Sequence, residues 1–444
     1  MSSEETTLSA PAPTVFPRRW AKAKTWALRL AGFASVQLMV QAIGFASGIL
    51  LVRSLSQEDY ALFTIANTIM GTMNLLADSG ISSGLTSIGG RVWNDPHRFG
   101  QLIHTALGLR RTLASFVVVM GIPITVWLLL KNGASPWLAA EICLAILASL
   151  YFQLSNGILT VIPRLLLQTN RLQQIDFTSA VIRLLLICLA WLLLLNTSTA
   201  LWAATAAFGC QWWLLRRWTR SSINVHAPAN PEMRREIMTV VHTQIPNSLF
   251  YCLQGQIGIW LLSIFGKVGN VAAIGALGRL AVVLGIISTV MGSLIAPRFS
   301  RCHDIHKLKR LFWIITGGCI GLAGGIQLVC FLFTDQCLWI LGPKYANYHR
   351  EFLLMVAVQG IGLISSTMWT LNHAKSFLQY SWLYIPLTIF SQMAVIPLVD
   401  LKTIQGVLIL SGAPAVVLIF HQILLFKIGL RDLDRKANVA LDKK

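Results

Sequence analysis

Charge is what this sequence has least of. Charged residues are 12% of its 444, against roughly 25% in a soluble domain. Apolar residues reach 55% and the mean hydropathy is +0.65. One buried core cannot absorb that much apolar surface, so the excess faces lipid, which excludes an ordinary soluble protein. No CxxC pair occurs among the eight cysteines. Most of them (Cys143, Cys188, Cys210, Cys252, Cys319, Cys330) sit inside apolar segments as small core residues, so they supply no redox or zinc site. There is no GxxxxGK[ST] phosphate loop, which argues against nucleotide-driven pumping by this chain alone. The start, Met1 to Pro17, has no apolar run behind a basic stretch. Being polar and Ser/Thr/Pro-rich, it is expected to be neither a cleavable signal nor a span, but a disordered tail.

What is present is a series of apolar stretches from Ala31 to Leu425, most of them near the ~20 residues that cross a bilayer as a helix. Backbone groups in hydrocarbon must pair internally, and barrel strands would instead alternate over ~10 residues, so an all-α polytopic membrane protein is expected. Twelve spans can be drawn: Ala31–Val52, Tyr60–Gly84, Thr112–Leu130, Leu138–Thr160, Ile175–Leu195, Ala200–Leu215, Thr243–Ile264, Ala272–Leu294, Leu311–Phe333, Phe352–Thr370, Tyr380–Val399 and Thr403–Leu425.

The formal charge of +19 could suggest nucleic acid, but its placement in short loops argues for a membrane and against that partner. With the N-terminus inside, only Arg53, Lys131, Lys267, Lys344, Arg350 and Lys402 fall outside. Apart from Arg183 and Arg279, every other Lys and Arg falls in inner segments, among them Arg110, Arg111, Arg216 and Arg220. This alternation supports twelve spans with both ends cytoplasmic. Trp127 and Trp137 flank one outer turn, and Trp212, Trp213 and Trp218 mark an inner interface.

The inner segment Arg216 to Val241 holds Asn230-Pro231 and clustered charge, so it reads as a linker between two sets of six spans. The expected organisation is a tail at 1–25, an N-lobe at 26–220, a linker at 221–240, a C-lobe at 241–428 and a second tail at 429–444. Gly48–Thr68 and Gly258–Arg279 echo each other as helix end, loop and helix start. Halves of six spans would share orientation, as parallel repeats do.

Polar groups inside spans cost free energy and tend to mark cavities or packing contacts. Thr64, Asn67, Gly71, Asn74, Asp78 and Ser82 share one face of the second span. Gln37 and Gln41 are one turn apart in the first. In the seventh, Gln244, Asn247, Tyr251 and Gln254 form a stripe, with Gln256 nearby. Three such stripes favour a water-accessible central cavity over interhelical hydrogen bonding in a dry bundle, although one Gln alone would favour the latter.

Arg279 lies in the eighth span, after the Gln-rich seventh, and is the candidate for meeting an anion. For Arg183 in the fifth span, snorkelling and a functional role stand level. Asp78 is read first as a structural group, pairing with an Arg or capping a distorted turn, and then as a proton relay. Gly317, Gly321 and Gly325 predict a close-packing face in the ninth span. His303-Asp304-Ile305-His306 has metal-like spacing, but no further ligands accompany it, so a solvated loop is expected.

The run LLVRSLSQEDYALFTIANTIMGTMNLLADSGISSGL, Leu50 to Leu85, resembles the signature of bacterial polysaccharide transporters. Its parts are Arg53, Leu55, Glu58 or Asp59, Tyr60, Asp78 and Gly80. LGPKYANY, Leu341 to Tyr348, resembles that family's outer Gly-Pro-x-Tyr loop. The resemblance is to O-antigen-type oligosaccharidyl-lipid flippases of the multidrug/oligosaccharidyl-lipid/polysaccharide exporter superfamily. It implies two six-helix lobes around a V-shaped cavity, lined largely by the first, second, seventh and eighth helices. It also implies flipping of a polyprenyl-diphosphate-linked oligosaccharide across the bacterial inner membrane by alternating access.

Two positions depart from the pattern. Ala61 stands where the family usually has Gly, and Gln254, Gly255 and Gln256 stand where relatives often carry an acid. The second departure puts carboxylate-based cation coupling in doubt. The expected lumen residues are Arg279, Arg183 and Arg53 for the diphosphate. With them come Gln37, Gln41, Asn67, Asn74, Asp78, Gln244, Asn247, Gln254 and Gln256. No cofactor is expected beyond a coupling ion, H+ or Na+. Polysaccharide polymerase and assembly proteins are candidate partners. The rival readings are a cation-coupled multidrug antiporter, a membrane-embedded glycosyl- or acyltransferase, and an assembly scaffold.

Overall fold

The computed structural model describes residues 16–441 apart from 93, 167, 221–227, 292–294, 301, 303 and 378. Within it, side chains are left undescribed for 16–34, 83, 87, 169, 240, 243, 244, 247, 281–286, 289, 290, 297, 298 and 436–441. Gln244 and Asn247 are therefore outside the described side chains, and 1–15 of the expected tail and His303 are outside the described residues.

Helices account for every long segment: α1 (Phe16–Ser54), α2 (Gln57–Asp78), α3 (Ile81–Val92), α4 (Pro96–Lys131), α5 (Pro136–Leu159), α6 (Val161–Leu165), α7 (Thr169–Leu193) and α8 (Thr197–Thr219) in the first half. The second half holds α9 (Pro231–Phe265), α10 (Val268–Val290), α11 (Ala296–Ser300), α12 (Ile305–Leu332), α13 (Thr334–Leu341), α14 (His349–Ala374), α15 (Tyr384–Val395) and α16 (Ile404–Leu441). Among the described residues, ten helices are long and apolar enough to cross a membrane. α8 and α10, the latter with a described apolar part at Val268–Leu280, complete the twelve expected spans. Starts follow the chain's own punctuation. Asp95, Ser135 and Asn230 each accept backbone N–H groups as N-caps, and each precedes a proline at the first helical position.

The second span is not one helix. α2 stops at Asp78 because Ser79 (φ 34°) and Gly80 (φ 93°) adopt left-handed backbone, and α3 restarts at Ile81. Glycine suits such a position because it has no Cβ to clash there. The linker also differs from expectation, since its second half is already the start of α9. That start packs on the first half of the chain: Ile237 and Val241 join its core, Arg91 pairs with Glu236, and the Asn230 N–H donates to Thr105 Oγ1 at 2.9 Å. The glycine face of α12 is a correction. Gly317, Gly321 and Gly325 are exposed, and a Cβ on any of them would meet nothing within 4 Å. α12 packs on α14 elsewhere, with Ala323 Cβ against Gly360. Spacing marks a possible groove, not whether a partner fills it.

α1 begins and α16 ends on one side of the bundle, here the termini side. The buried core is divided accordingly. On the far side a single cluster runs through both halves, from Leu51, Tyr60 and Phe63 to Leu262, Leu277, Tyr345 and Leu408. On the termini side there are two separate clusters. Ile81, Phe99, Leu109 and Ile162 belong to the first half, and Phe299, Phe312, Met368 and Phe426 to the second. The lobes thus share one core on the far side and keep separate cores on the termini side, where the start of α9 joins the first-half cluster.

Gly275 of α10 lies tightly against the other lobe, since a Cβ there would lie 2.5 Å from Thr64 Oγ1 of α2. Gly275→Val is expected to cost about 1–3 kcal/mol by overpacking and to lower the unfolding temperature in detergent. Gly278→Val, at a position with nothing within 4 Å, should leave that temperature unchanged.

Candidate functional site

Arg279 reaches across the lobe boundary. Its helix, α10, starts at the far side, and Arg279 is eleven residues in, about 16 Å by helix rise. That is about half of a ~30 Å hydrocarbon core. Its Nε donates to Tyr60 Oη of α2 at 3.4 Å. Its stem lies on Gly48 of α1, where a Cβ would come within 3.2 Å of Arg279 Cδ. Arg183 of α7 is near enough to feel the charge of Arg279. The Arg183 Nε is buried without a hydrogen-bond partner. Among the described residues, no carboxylate forms an ion pair with either arginine. Two cations within electrostatic range of each other at mid-membrane repel in a low-dielectric setting, so the pair is complementary to an anion.

Arg53 is placed differently from its expected role. It ends α1, about 7–8 Å farside of Gly48 by helix rise. Its Nη2 donates to the Trp339 carbonyl at 3.0 Å and its guanidinium lies 4.8 Å from the Trp339 ring centroid. Lys344 Nζ returns to the Arg53 and Leu55 carbonyls at 3.3 and 2.6 Å, and Gln57 Nε2 donates to the Lys344 carbonyl at 3.1 Å. The two sequence segments that carry the family resemblance therefore grip each other, and Arg53 belongs to that lock rather than to the arginine pair. The acidic position of the motif resolves to Asp59, whose carboxylate accepts from Thr197 Oγ1 at 2.8 Å.

The polar stripe of α2 divides. Thr64 and Asn67 donate back to the Tyr60 and Phe63 carbonyls of their own helix. Asn74 and Asp78 turn into the N-lobe, where Arg110 Nη2 meets Asn74 Oδ1 and Asp78 Oδ1, each at 3.3 Å. Ser82 Oγ donates to Asp78 Oδ1 at 2.6 Å across the helix break. Asp78 thus takes both structural roles, pairing with an arginine and securing a distorted turn. Asn74 Nδ2 continues to Gln153 Oε1 at 3.5 Å. Farther on, Asn156 donates to Gln211, which donates to Asp176, each at 3.2 Å.

Arg110 was the residue the sequence concealed, because hydropathy placed it in an inner segment. It is buried within the 36-residue α4, its guanidinium lying on Gly157. The available signal was Asp78 itself, since an acid within a span requires a partner.

The described part of the seventh-span stripe, Tyr251 and Gln254, faces into the C-lobe. Gln254 and Gln392 of α15 exchange reciprocal amide hydrogen bonds of 2.9 and 2.7 Å. Tyr251 stacks on Tyr384 with ring centroids 5.0 Å apart. Gln254, Tyr251 and Tyr384 border a cavity of about 400 Å³ shared with Ser365, Ser366, Trp369, Thr388 and Gln422. Its described lining has hydroxyl, amide and aromatic groups and no charge. Gln37, Gln41 and Gln256 are half-buried on α1 and α9, and the structure does not bring them into these networks. No group of three His, Cys, Asp or Glu among the described residues is placed to hold a metal. Asp304 instead caps α12, and the Lys307 N–H it accepts holds its carboxyl below the usual range.

No protein-family model matches the sequence, and no curated protein matches it significantly. Solved structures do share its fold. An inward-facing multidrug resistance MATE family transporter of the MOP superfamily aligns with TM-score 0.70 at 15% identity, over 90% of this chain and 99% of the other. An outward-facing one gives 0.61 at 16%, over 92% and 96%. A MOP superfamily transporter from Pyrococcus furiosus, for which reverse polarity of the binding pocket was taken to suggest a different function, gives 0.61 at 16%, over 92% and 95%. The fold is that of these transporters.

Breaking one partner of a buried pair is costlier than replacing both. The Arg110 side chain is 5% exposed and that of Asp78 27%. Arg110→Met is therefore expected to destabilise by about 3 kcal/mol, the low end for breaking a buried pair. The double variant Asp78→Leu/Arg110→Met should lose less than Arg110→Met alone. Thermal unfolding in detergent checks the order.

Proposed function

We propose that this protein translocates a polyprenyl-diphosphate-linked oligosaccharide across a bacterial inner membrane by alternating access, for polysaccharide biosynthesis. The observation that carries the reading is the Arg183–Arg279 pair, two cations at mid-membrane where the lobes meet, with no carboxylate partner among the described residues. A diphosphate supplies the missing negative charge and accepts charge-assisted hydrogen bonds from both guanidiniums. The prenyl tail stays in lipid while the headgroup occupies the cleft. The uncharged lining of the C-lobe cavity is suited to sugar hydroxyls. Rocking of the lobes would then require release of the far-side lock at Arg53, Trp339 and Lys344. The charge asymmetry of the loops supports an orientation with both termini in the cytoplasm. An H+ or Na+ ion is the candidate for coupling, and the polymerase and assembly proteins of the same pathway are candidate partners.

Two structural neighbours are named as multidrug resistance transporters, and a cation-coupled drug antiporter calls for a free lumen carboxylate. Asp78 would be that group, and its engagement by Arg110 disfavours this reading.

The test is flipping of a prenyl-diphosphate oligosaccharide by the purified protein in proteoliposomes. Losing one charge-assisted hydrogen bond costs about 1.5–3 kcal/mol, so Arg279→Ala and Arg183→Gln should each slow flipping by roughly tenfold or more. Rates equal to wild type in both variants, with reconstitution unchanged, would sink the proposal. Cation-driven drug uptake that survives both substitutions would favour the antiporter.

A further inference from the structure

A groove on the outer flank of the N-lobe has the shape and charge of a lipid. Its walls are α4 and α8 and its floor is α5. The part nearer the termini is a cavity of about 290 Å³ bordered by His104, Arg111, Arg216 and Arg220 together with Tyr151 and Trp212. No carboxylate is among its described lining, and none of these arginines forms an ion pair among the described residues. Arg216 is held in place by its own neighbour, with the guanidinium 5.1 Å from the Trp212 ring centroid. That ring in turn packs on Phe152 at 5.8 Å and Tyr151 at 6.4 Å.

The basic cavity continues into a largely apolar one of about 360 Å³ that shares Leu107, Arg111, Tyr151 and Ser155 with it and also borders Arg110, whose charge is engaged by Asp78. This slot runs between one face of α4, through Ala114, Ser115 and Val118, and one face of α5, through Leu147, Leu150 and Leu154. From Leu107 to Val118 it is about 16 Å long by helix rise. That is about half of a ~30 Å hydrocarbon core, the depth of one leaflet. Phe116, Val119 and Met120 of α4 are exposed from that level onward, as a lipid-facing surface requires.

We propose that this groove is a binding site for an anionic phospholipid of the leaflet on the termini side. Its phosphate sits among Arg111, Arg216 and Arg220, and one acyl chain occupies the slot between α4 and α5. Basic pockets between transmembrane helices recognise anionic headgroups by charge, and a slot one leaflet deep requires a chain attached to that charge. The site is separate from the Arg183–Arg279 pair, which lies on α7 and α10, so it stands or falls apart from the proposed transport activity.

The experiment is native mass spectrometry of the full-length protein in detergent, with phosphatidylglycerol and phosphatidylcholine of matched chains supplied together. Wild type should retain phosphatidylglycerol over phosphatidylcholine by about tenfold or more, the scale expected when several arginines act together. Arg111→Gln/Arg216→Gln/Arg220→Gln should abolish the preference. Ser115→Trp, which fills the exposed slot without changing charge, should reduce retention of both lipids. Glycerol phosphate, which has the head chemistry without a chain, should not compete.

Three results would each overturn the site. One is equal retention of the two lipids by wild type. Another is an unchanged preference in both the triple variant and Ser115→Trp. The third is an equal loss from Arg431→Gln/Arg435→Gln, arginines on the same side but outside the groove.

Discussion

The grip of the Lys344 loop on the end of α1 is the contact on which the rest of the structure depends. The last carbonyls of a helix have no partner within it, and at a membrane surface they need one. Lys344 supplies a cation to the Arg53 and Leu55 carbonyls, where the helix dipole also favours positive charge. Arg53 answers by reaching the Trp339 carbonyl and ring. The contact ties the first helix of one lobe to a loop of the other. It lets a single apolar cluster run through both lobes on the far side, while the termini side holds two separate clusters.

The lobes solve the problem of buried polarity in opposite ways. The N-lobe keeps charge, compensating Asp78 with Arg110 and linking Asn74 and Gln153 to the pair. The C-lobe avoids charge, so Gln254 and Gln392 satisfy each other beside stacked tyrosines. A charge pair in low dielectric is costly to break and resists rearrangement, whereas amides and hydroxyls can exchange partners at modest cost. The N-lobe polar network is therefore a fixed element, and the C-lobe cavity is the part able to exchange its own hydrogen bonds for a ligand's.

Much of this was legible in the sequence, for definite reasons. Helix count and the division into two lobes follow from hydropathy and loop charge, which respond to lipid on a scale of twenty residues and need no knowledge of packing. The break at Asp78 was only half legible. Its Asp-x-Gly pattern was visible, but the expected span ran through it, because hydropathy does not register a single left-handed residue such as Ser79. Periodicity placed the stripes on α2 and α9, and packing sends Asn74 and Asp78 to Arg110 in the N-lobe and Tyr251 and Gln254 toward α15. Periodicity fixes which residues share a face, and tertiary packing decides what the face meets. The same limit explains Gly317, Gly321 and Gly325, whose spacing suited a partner that the fold does not provide. Arg110 was hidden because α4 extends well past the membrane, so that a buried arginine resembled a loop charge.

Tyr60 joins the closing contact to the arginine pair. It sits one residue after Asp59, which is held by Thr197, and its hydroxyl accepts from Arg279 of the opposite lobe. A ligand shifts a conformational equilibrium only as far as its affinity differs between the two states. Mid-membrane depth alone gives no such difference, since the arginines would be equally deep in either state. The difference must come from contacts that cross the lobe boundary, and Arg279 makes them with Tyr60 and Gly48 while repelling Arg183. An anion seated between the two guanidiniums would replace that repulsion with attraction to both. It would act where one lobe's arginine rests on the other lobe's helices, which is the place from which binding can bias the fit of the two lobes.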